Sequence, residues 1–164
     1  MTERISHTLA PVFDSQSRIL ILGTMPSPRS RETGFYYGNP QNRFWRVLSG
    51  VFSEELPEDN REKTEFLLRR RIALWDVLAS CSIEGADDSS IKDPVPNDLG
   101  ELLRNADIRA VFTTGKKAWH LYRKFIFPVT QIPAIYLPST SPANCARYAY
   151  EDLVREYEQI KSFV

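Results

Sequence analysis

The chain has 164 residues, 42% of them hydrophobic, and Lys plus Arg balance Asp plus Glu at 21 each. That length and apolar content predict one domain over residues 1–164 with a real core, and the zero net charge excludes a general attraction to polyanions, so any nucleic-acid contact must come from a local basic patch. Cys81 and Cys145 lack CxxC spacing, which excludes an iron–sulfur cluster or a four-cysteine zinc site, and no stretch approaches a signal peptide or the ~20 apolar residues that span a bilayer, so reduced thiols in a soluble, cytoplasmic protein are expected.

In chain order the first apolar run is RILILG at residues 18–23. After it comes GFYYGNPQNRFW at 34–45, with aromatic and amide side chains crowded among Gly and Pro that break regular structure. The apolar spacing predicts helices over 42–51 and 61–70, then a strand, IALWDV, at 72–77. Residues 84–97, EGADDSSIKDPVPN, read as a polar, mobile surface loop. A helix over 99–105, a strand AVFTTG at 110–115, a helix over 116–125, a strand AIYLPS at 134–139 and a last helix over 143–163 complete the chain. The strand runs are continuously apolar rather than alternating, which means burial on both faces, as in a parallel sheet covered by helices. Together they predict an α/β fold, a three-layer α/β/α sandwich around a central four-stranded parallel sheet. Ligands collect at the carboxyl ends of such strands. There the sequence reads GTMPSP, DVLASC, TTGKKA and PSTSPAN, all small, polar or turn-forming.

Taken together, GTMPSPRSRETGFYYGNPQNRFW at 23–45 and LPSTSPAN at 137–144 resemble the two signature motifs of the uracil-DNA glycosylase superfamily, most closely its hypoxanthine-DNA (deoxyinosine) glycosylase branch. The resemblance runs from residue 18 through the C-terminal helix. It implies a uracil-DNA glycosylase-like fold and a monofunctional glycosylase for base excision repair. Such an enzyme works as a monomer without a cofactor on double- or single-stranded DNA containing a deaminated base, hypoxanthine first. It places Gly23, Thr24, Met25, Pro26 and Ser27 at the turn that holds the base and the attacking water, and Ser139 where relatives carry a His or Asn that binds the base carbonyl. Asp76 falls where relatives place an Asn that reads the base edge, and Ser141, Pro142, Ala143 and Asn144 fall in the segment facing DNA. Many relatives carry Asp or Asn at the position of Met25, and a thioether neither activates nor orients water well. That departure, with Ser139, favours the deaminated-purine branch over ordinary uracil excision. A uracil or mismatched-thymine glycosylase of the same fold, and a nucleic-acid-binding module without catalysis, fit the same residues.

The chemistry asks for the same parts. A base must leave the duplex before its bond to C1′ can break, which costs a few kcal/mol, roughly what stacking on an aromatic ring returns at ~1–3 kcal/mol per base. Tyr36 and Tyr37 suit that platform, or cap the core beneath a loop. Charge on the departing base calls for donors, which Ser139 and backbone N–H groups can supply. A water beneath C1′ needs an acceptor, for which the amide oxygen of Asn42 is the first candidate and Asn39 the second; Asn42 also suits a helix N-cap. Asp76 either reads the base or caps a turn. Lys116, Lys117 and Arg147 either meet DNA phosphates or face solvent. His7 and His120 sit in no motif, no GxSxG elbow is present, and no Lys lies within either motif to form a Schiff base.

Overall fold

The structure is a computed structural model that describes residues 2–164. It begins with β1 (Glu3–Ser6) and β2 (Ile19–Gly23), then α1 (Pro28–Thr33), α2 (Phe44–Phe52), α3 (Asn60–Arg69) and β3 (Ile72–Asp76). A hairpin follows, β4 (Leu78–Glu84) and β5 (Asp87–Pro96), then α4 (Gly100–Asn105), β6 (Ala110–Thr114) and α5 (Lys116–Leu121). The chain then passes through a π-helical turn (Tyr122–Ile126), α6 (Phe127–Thr130), β7 (Ala134–Leu137), a 3-10 turn (Pro142–Asn144), α7 (Tyr150–Tyr157) and a closing 3-10 turn (Glu158–Ser162).

The four expected strands form one parallel sheet in the order β3-β2-β6-β7. Every residue of β2 and β6 is buried, because successive side chains leave opposite faces and both faces are covered. Ile19 and Ile21 enter the cluster built with Phe44, Leu48, Phe66 and Leu153 from α2, α3 and α7. Leu20 and Leu22 enter the opposite cluster with Leu78, Cys81, Leu102 and Ala118. Burying each such side chain contributes about 1.5–3 kcal/mol, so the central strands are the best-anchored part of the molecule. Their carboxyl ends can therefore hold side chains in fixed positions.

Several elements differ from the expectation. Residues 84–97 are not a mobile loop: β5 pairs antiparallel with β4, which pairs with β1, giving a second, three-stranded sheet. The last helix begins at Tyr150 rather than at 143. The intervening chain is spent on turns, in which Arg147 and Tyr148 donate their N–H groups to the Asn144 carbonyl and Tyr148 gives its own carbonyl to the Arg43 guanidinium. The helix after β6 leaves α geometry at Tyr122, whose hydroxyl donates to the Ile132 carbonyl at 2.6 Å. In α2 the apolar positions 44, 45, 47, 48 and 51 make one buried face. Gly50 lets that helix meet α7 closely, since a Cβ there would collide with the Tyr150 hydroxyl.

Candidate active site

Strand β2 ends in Gly23, which pairs with Asp76 in the register of β2 and β3, so the Asp76 carboxyl stands beside the glycine backbone. A Cβ at residue 23 would lie 2.6 Å from Asp76 Oδ1, 2.9 Å from the Tyr37 hydroxyl and 3.6 Å from Thr114 Oγ1. Only glycine lets three oxygens, from β3, from the loop before α2 and from β6, converge on one spot.

Asp76 is held from behind. His7 Nε2 lies 2.8 Å from Asp76 Oδ2, with both side chains almost wholly buried. The Leu9 N–H donates to His7 Nδ1 at 3.2 Å, so the proton of the imidazole sits on Nε2 and is donated to Asp76. Oδ2 is thereby engaged and Oδ1 is left toward the cleft. His7, which no motif contains, is thus part of the site. Asp76 takes no backbone N–H on its carboxylate among the described residues, so it does not cap a turn.

Tyr37, from the aromatic segment, lines the cleft. It adopts a left-handed φ of 54°, uncommon for a bulky residue and concentrated at functional sites. This conformation lays its ring on Phe44, centroids 3.9 Å apart and planes 11° from parallel, while its hydroxyl meets Thr114 Oγ1 at 3.2 Å. Burial, and after it the charge of Asp76, push the phenol well above its ordinary range, so it remains neutral. Tyr36 differs. It is 2% exposed, its hydroxyl donates to the Ala10 carbonyl at 2.7 Å, and its own carbonyl accepts the Trp45 indole N–H at 3.1 Å. It forms a wall of the cleft and has no open face on which a base can stack.

The two motif segments are joined directly. Thr140 Oγ1 donates to Asn42 Oδ1 at 2.7 Å and the Arg43 N–H donates to the Thr140 carbonyl at 3.1 Å. The Phe44 N–H also donates to Asn42 Oδ1, at 2.9 Å. That oxygen therefore has both lone pairs in use, and the water-holding acceptor expected there is already occupied. Nor is Asn42 the N-cap, because α2 starts at Phe44 with Arg43 in the cap position. Among the described residues Asn39 Oδ1 accepts a single bond, from the Gln41 N–H at 2.9 Å, and keeps a lone pair free. Ser27 caps α1, accepting the Ser30 N–H at 3.2 Å. Ser139 Oγ accepts the Ser141 N–H at 3.1 Å and so has its own proton to give, while the Ser139 carbonyl fixes the Asn144 amide at 2.9 Å.

These groups enclose a cleft of about 210 Å³, smaller than the ~300–1,000 Å³ of drug-sized sites and suited to a single base. It is lined by Gly23 to Ser27, Tyr36, Tyr37, Asn39, Asn42, Asp76, Ser139, Ser141 and Pro142. Outside the lining lie exposed Lys116, Ala143 and Arg147 and half-buried Lys117 and Asn144. The cleft also takes in residues the sequence did not single out: Ser30, Thr114, and Ile83, Gly85, Ala86 and Asp88 from the hairpin. Thr114 carries a legible signal, since TTG closes a strand at the ligand edge; the hairpin residues carry none. Met25 is half-buried against the apolar cluster of Leu22 and Val77. No helix among the described residues is long and apolar enough to cross a membrane, and no cluster of His, Cys, Asp or Glu there is arranged to hold a metal ion.

Comparison with known proteins points the same way. The family model described as the uracil DNA glycosylase superfamily matches residues 10–161. A protein of Methanosarcina barkeri named hypoxanthine DNA glycosylase is 39% identical over 110 residues, 66% of this chain and 70% of its own length. One of the same name from Methanosarcina acetivorans is 38% identical over 135 residues, covering 81% of this chain and 84% of its own. The solution NMR structure of a candidate uracil DNA glycosylase from Methanosarcina acetivorans superposes with a TM-score of 0.80 at 30% identity, covering 98% of this chain and 99% of that one.

Proposed function

This chain belongs to the uracil DNA glycosylase superfamily, and on that premise we propose that it is a monofunctional DNA glycosylase that flips deoxyinosine and hydrolyses its N-glycosidic bond. One observation carries the reading: a cleft of single-base size in which the Tyr37 ring, backed by Phe44, faces the carboxyl ends of β2 and β3. Support for the base comes from the two Methanosarcina proteins named for hypoxanthine and from Asp76.

Deamination of adenine turns N1 from an acceptor into an N–H donor and the 6-amino group into a carbonyl. A carboxylate oxygen fixed by His7 accepts that N1–H and meets the lone pair of an intact adenine with repulsion. Sites built around such a bond reject the analogue that cannot make it by about 10⁴–10⁵. Ser139 and backbone N–H groups after β2 donate to the base carbonyl and stabilise the negative charge of the departing base.

The water is positioned by Asn39, which has an acceptor lone pair free, whereas Asn42 braces the loop against Thr140. An amide is no base, so its contribution is orientation, which suffices against an electrophilic sugar cation. Lys116, Lys117 and Arg147, with the Ser141 to Asn144 turn, meet the phosphates of the strand from which the base is drawn. All the lining of the cleft comes from one chain, which supports action as a monomer.

Single-turnover incubation with duplex oligonucleotides carrying inosine, xanthine or uracil, followed by alkaline cleavage, tests this reading. Inosine is expected to be cleaved fastest and adenine not at all. Faster cleavage of uracil would move the chain to the pyrimidine branch of the same fold, and cleavage of none would leave a binding module.

A further inference from the structure

The hairpin of β4 and β5 closes one side of the cleft. Its Gly85–Ala86 turn lies at the rim, and Asp88, at the start of β5, brings a carboxyl group into a site whose other parts come from the two motif segments and the parallel sheet. Asp88 is exposed as a residue, yet it lines the cleft together with Thr24 at the end of β2, whose hydroxyl acts on its carboxyl. The second carboxyl of the cleft, Asp76, is engaged by His7; among the described residues Asp88 forms no ion pair, and it is the one free to exchange a proton with a ligand.

The surroundings favour the protonated form. Desolvation is the main influence, the charges of Asp76 and of neighbouring Asp87 add to it, and the Thr24 hydrogen bond and Lys117 of α5 oppose it, leaving the acid at about 6. Tyr37 from the loop before α2 and Cys81 from β4 also feel the Asp88 charge. A carboxylic acid with an affinity for protons close to the working pH is what general acid catalysis requires.

We propose that Asp88 is a catalytic residue, the general acid that gives its carboxyl proton to N7 of the flipped purine as the base departs. The assignment rests on the deoxyinosine reading above. In the step, the bond between C1′ and N9 breaks and its electron pair passes into the imidazole ring, where the proton from Asp88 neutralises it at N7. The oxygen of the water held by Asn39 bonds to C1′, and the proton it sheds returns through solvent to the Asp88 carboxylate. One water is consumed, and hypoxanthine leaves neutral as its N7–H tautomer. Uracil has no counterpart of N7, so the acid serves purine excision in particular.

The test is the single-turnover excision rate between pH 5 and 9 on duplexes carrying 2′-deoxyinosine or 7-deaza-2′-deoxyinosine, for the natural protein and for Asp88→Asn, which keeps a hydrogen-bond partner for Thr24. On inosine the natural protein should slow about tenfold per pH unit above pH ~6, and Asp88→Asn should be about 10²-fold slower at pH 6 with no such slope. On the 7-deaza base, which has no N7 to protonate, the two proteins should be equally slow. An Asp88→Asn protein that keeps the inosine rate and slope overturns the assignment, as does a 7-deaza substrate still sensitive to Asp88. The slope of the natural protein and its response to 7-deaza substitution need no variant, so they decide the matter even if Asp88→Asn folds poorly. A natural protein inactive on inosine at every pH would instead overturn the deoxyinosine reading itself, and this assignment with it.

Discussion

Replacing Gly23 by Ala tests whether the convergence of oxygens at the end of β2 governs the site. The added methyl would stand 2.6 Å from Asp76 Oδ1 and 2.9 Å from the Tyr37 hydroxyl, where ordinary contact begins at 3.4 Å, so it intrudes by about 0.8 and about 0.5 Å. Neither neighbour yields cheaply. Asp76 is tied to His7 at 2.8 Å on a strand in register with β2, and Tyr37 is stacked on Phe44 and bonded to Thr114. Overpacking of this kind costs about 1–3 kcal/mol. At roughly 2–4 °C per kcal/mol for a domain of this size, the melting temperature should fall by about 2–12 °C. The excision rate should fall further, by about 10²-fold, because relief of the clash moves the acceptor or the platform away from the base. Thermal denaturation and single-turnover cleavage of an inosine duplex read the two effects. In an Asp76→Ala background the nearest oxygen is gone, and the Gly23→Ala penalty in stability should shrink by about 0.5–3 kcal/mol, the coupling expected of residues in contact. A Gly23→Ala protein with unchanged melting temperature and rate would refute the close approach.

Three further outcomes follow from the geometry. Asn42→Asp keeps an acceptor for the Phe44 N–H and the Thr140 hydroxyl and should remain folded and active, whereas Asn42→Ala should lose about 1 kcal/mol in denaturant titration and Asn39→Ala should slow excision about 10²-fold with little change in stability. Burial alone would raise the Glu54 carboxyl, but its bonds to Arg69 and Arg70 hold it below its ordinary 4.5, so its contribution is present above that pH and lost as pH falls through the depressed value. The melting-temperature deficit of Glu54→Gln, equivalent to ~1 kcal/mol or less for a pair near solvent, should be full at pH 7 and close below pH ~4.5. With the net charge at zero, DNA affinity must weaken with salt through local cations, and replacing Lys116, Lys117 and Arg147 by Ala should reduce the log–log salt slope by about 0.9 for each phosphate these side chains neutralise. An unchanged slope would assign them to solvated surface.

The parallel sheet was legible because strands covered on both faces must be apolar without interruption, and ILILG and AVFTT are. The hairpin was not, because β5 lies at the edge of its sheet, buries only Ile91 and carries Pro94 and Pro96, which an edge strand tolerates and a reading of local pattern takes for loop. Bulges in β4 also break the alternation that would have betrayed a half-buried strand. The site divides along the same line. Tyr37, Asn39, Asn42, Asp76 and Ser139 lie at strand ends or in an odd aromatic segment, and each could be singled out from its neighbours. His7 could not, since its meaning lies in a partner 69 residues away. Asp88 was hidden with the hairpin, and the spent lone pairs of Asn42 depend on Thr140, 98 residues on.

Met25 shows why those hidden contacts matter. Many of the glycosylases that the first motif resembles are expected to carry Asp or Asn at this position, before the proline, whereas here a thioether sits half-buried on the apolar cluster beneath the cleft. A carboxylate could not take that place without an unpaired charge against Leu22 and Val77, which is costly. The polar groups of the cleft come instead from three other directions: Asp76 from β3, oriented by His7; Asn39 from the loop that Thr140 braces through Asn42; and Asp88 from the hairpin. Two of the three lean on partners outside the first motif, His7 for Asp76 and Thr140, through Asn42, for the loop of Asn39, so on the proposed reading the chemistry is distributed over elements that the fold brings together. Restoring Met25→Asp alone should therefore not improve excision. The new carboxylate would gain no hydrogen-bond donor and would add a third negative charge beside Asp76 and Asp88.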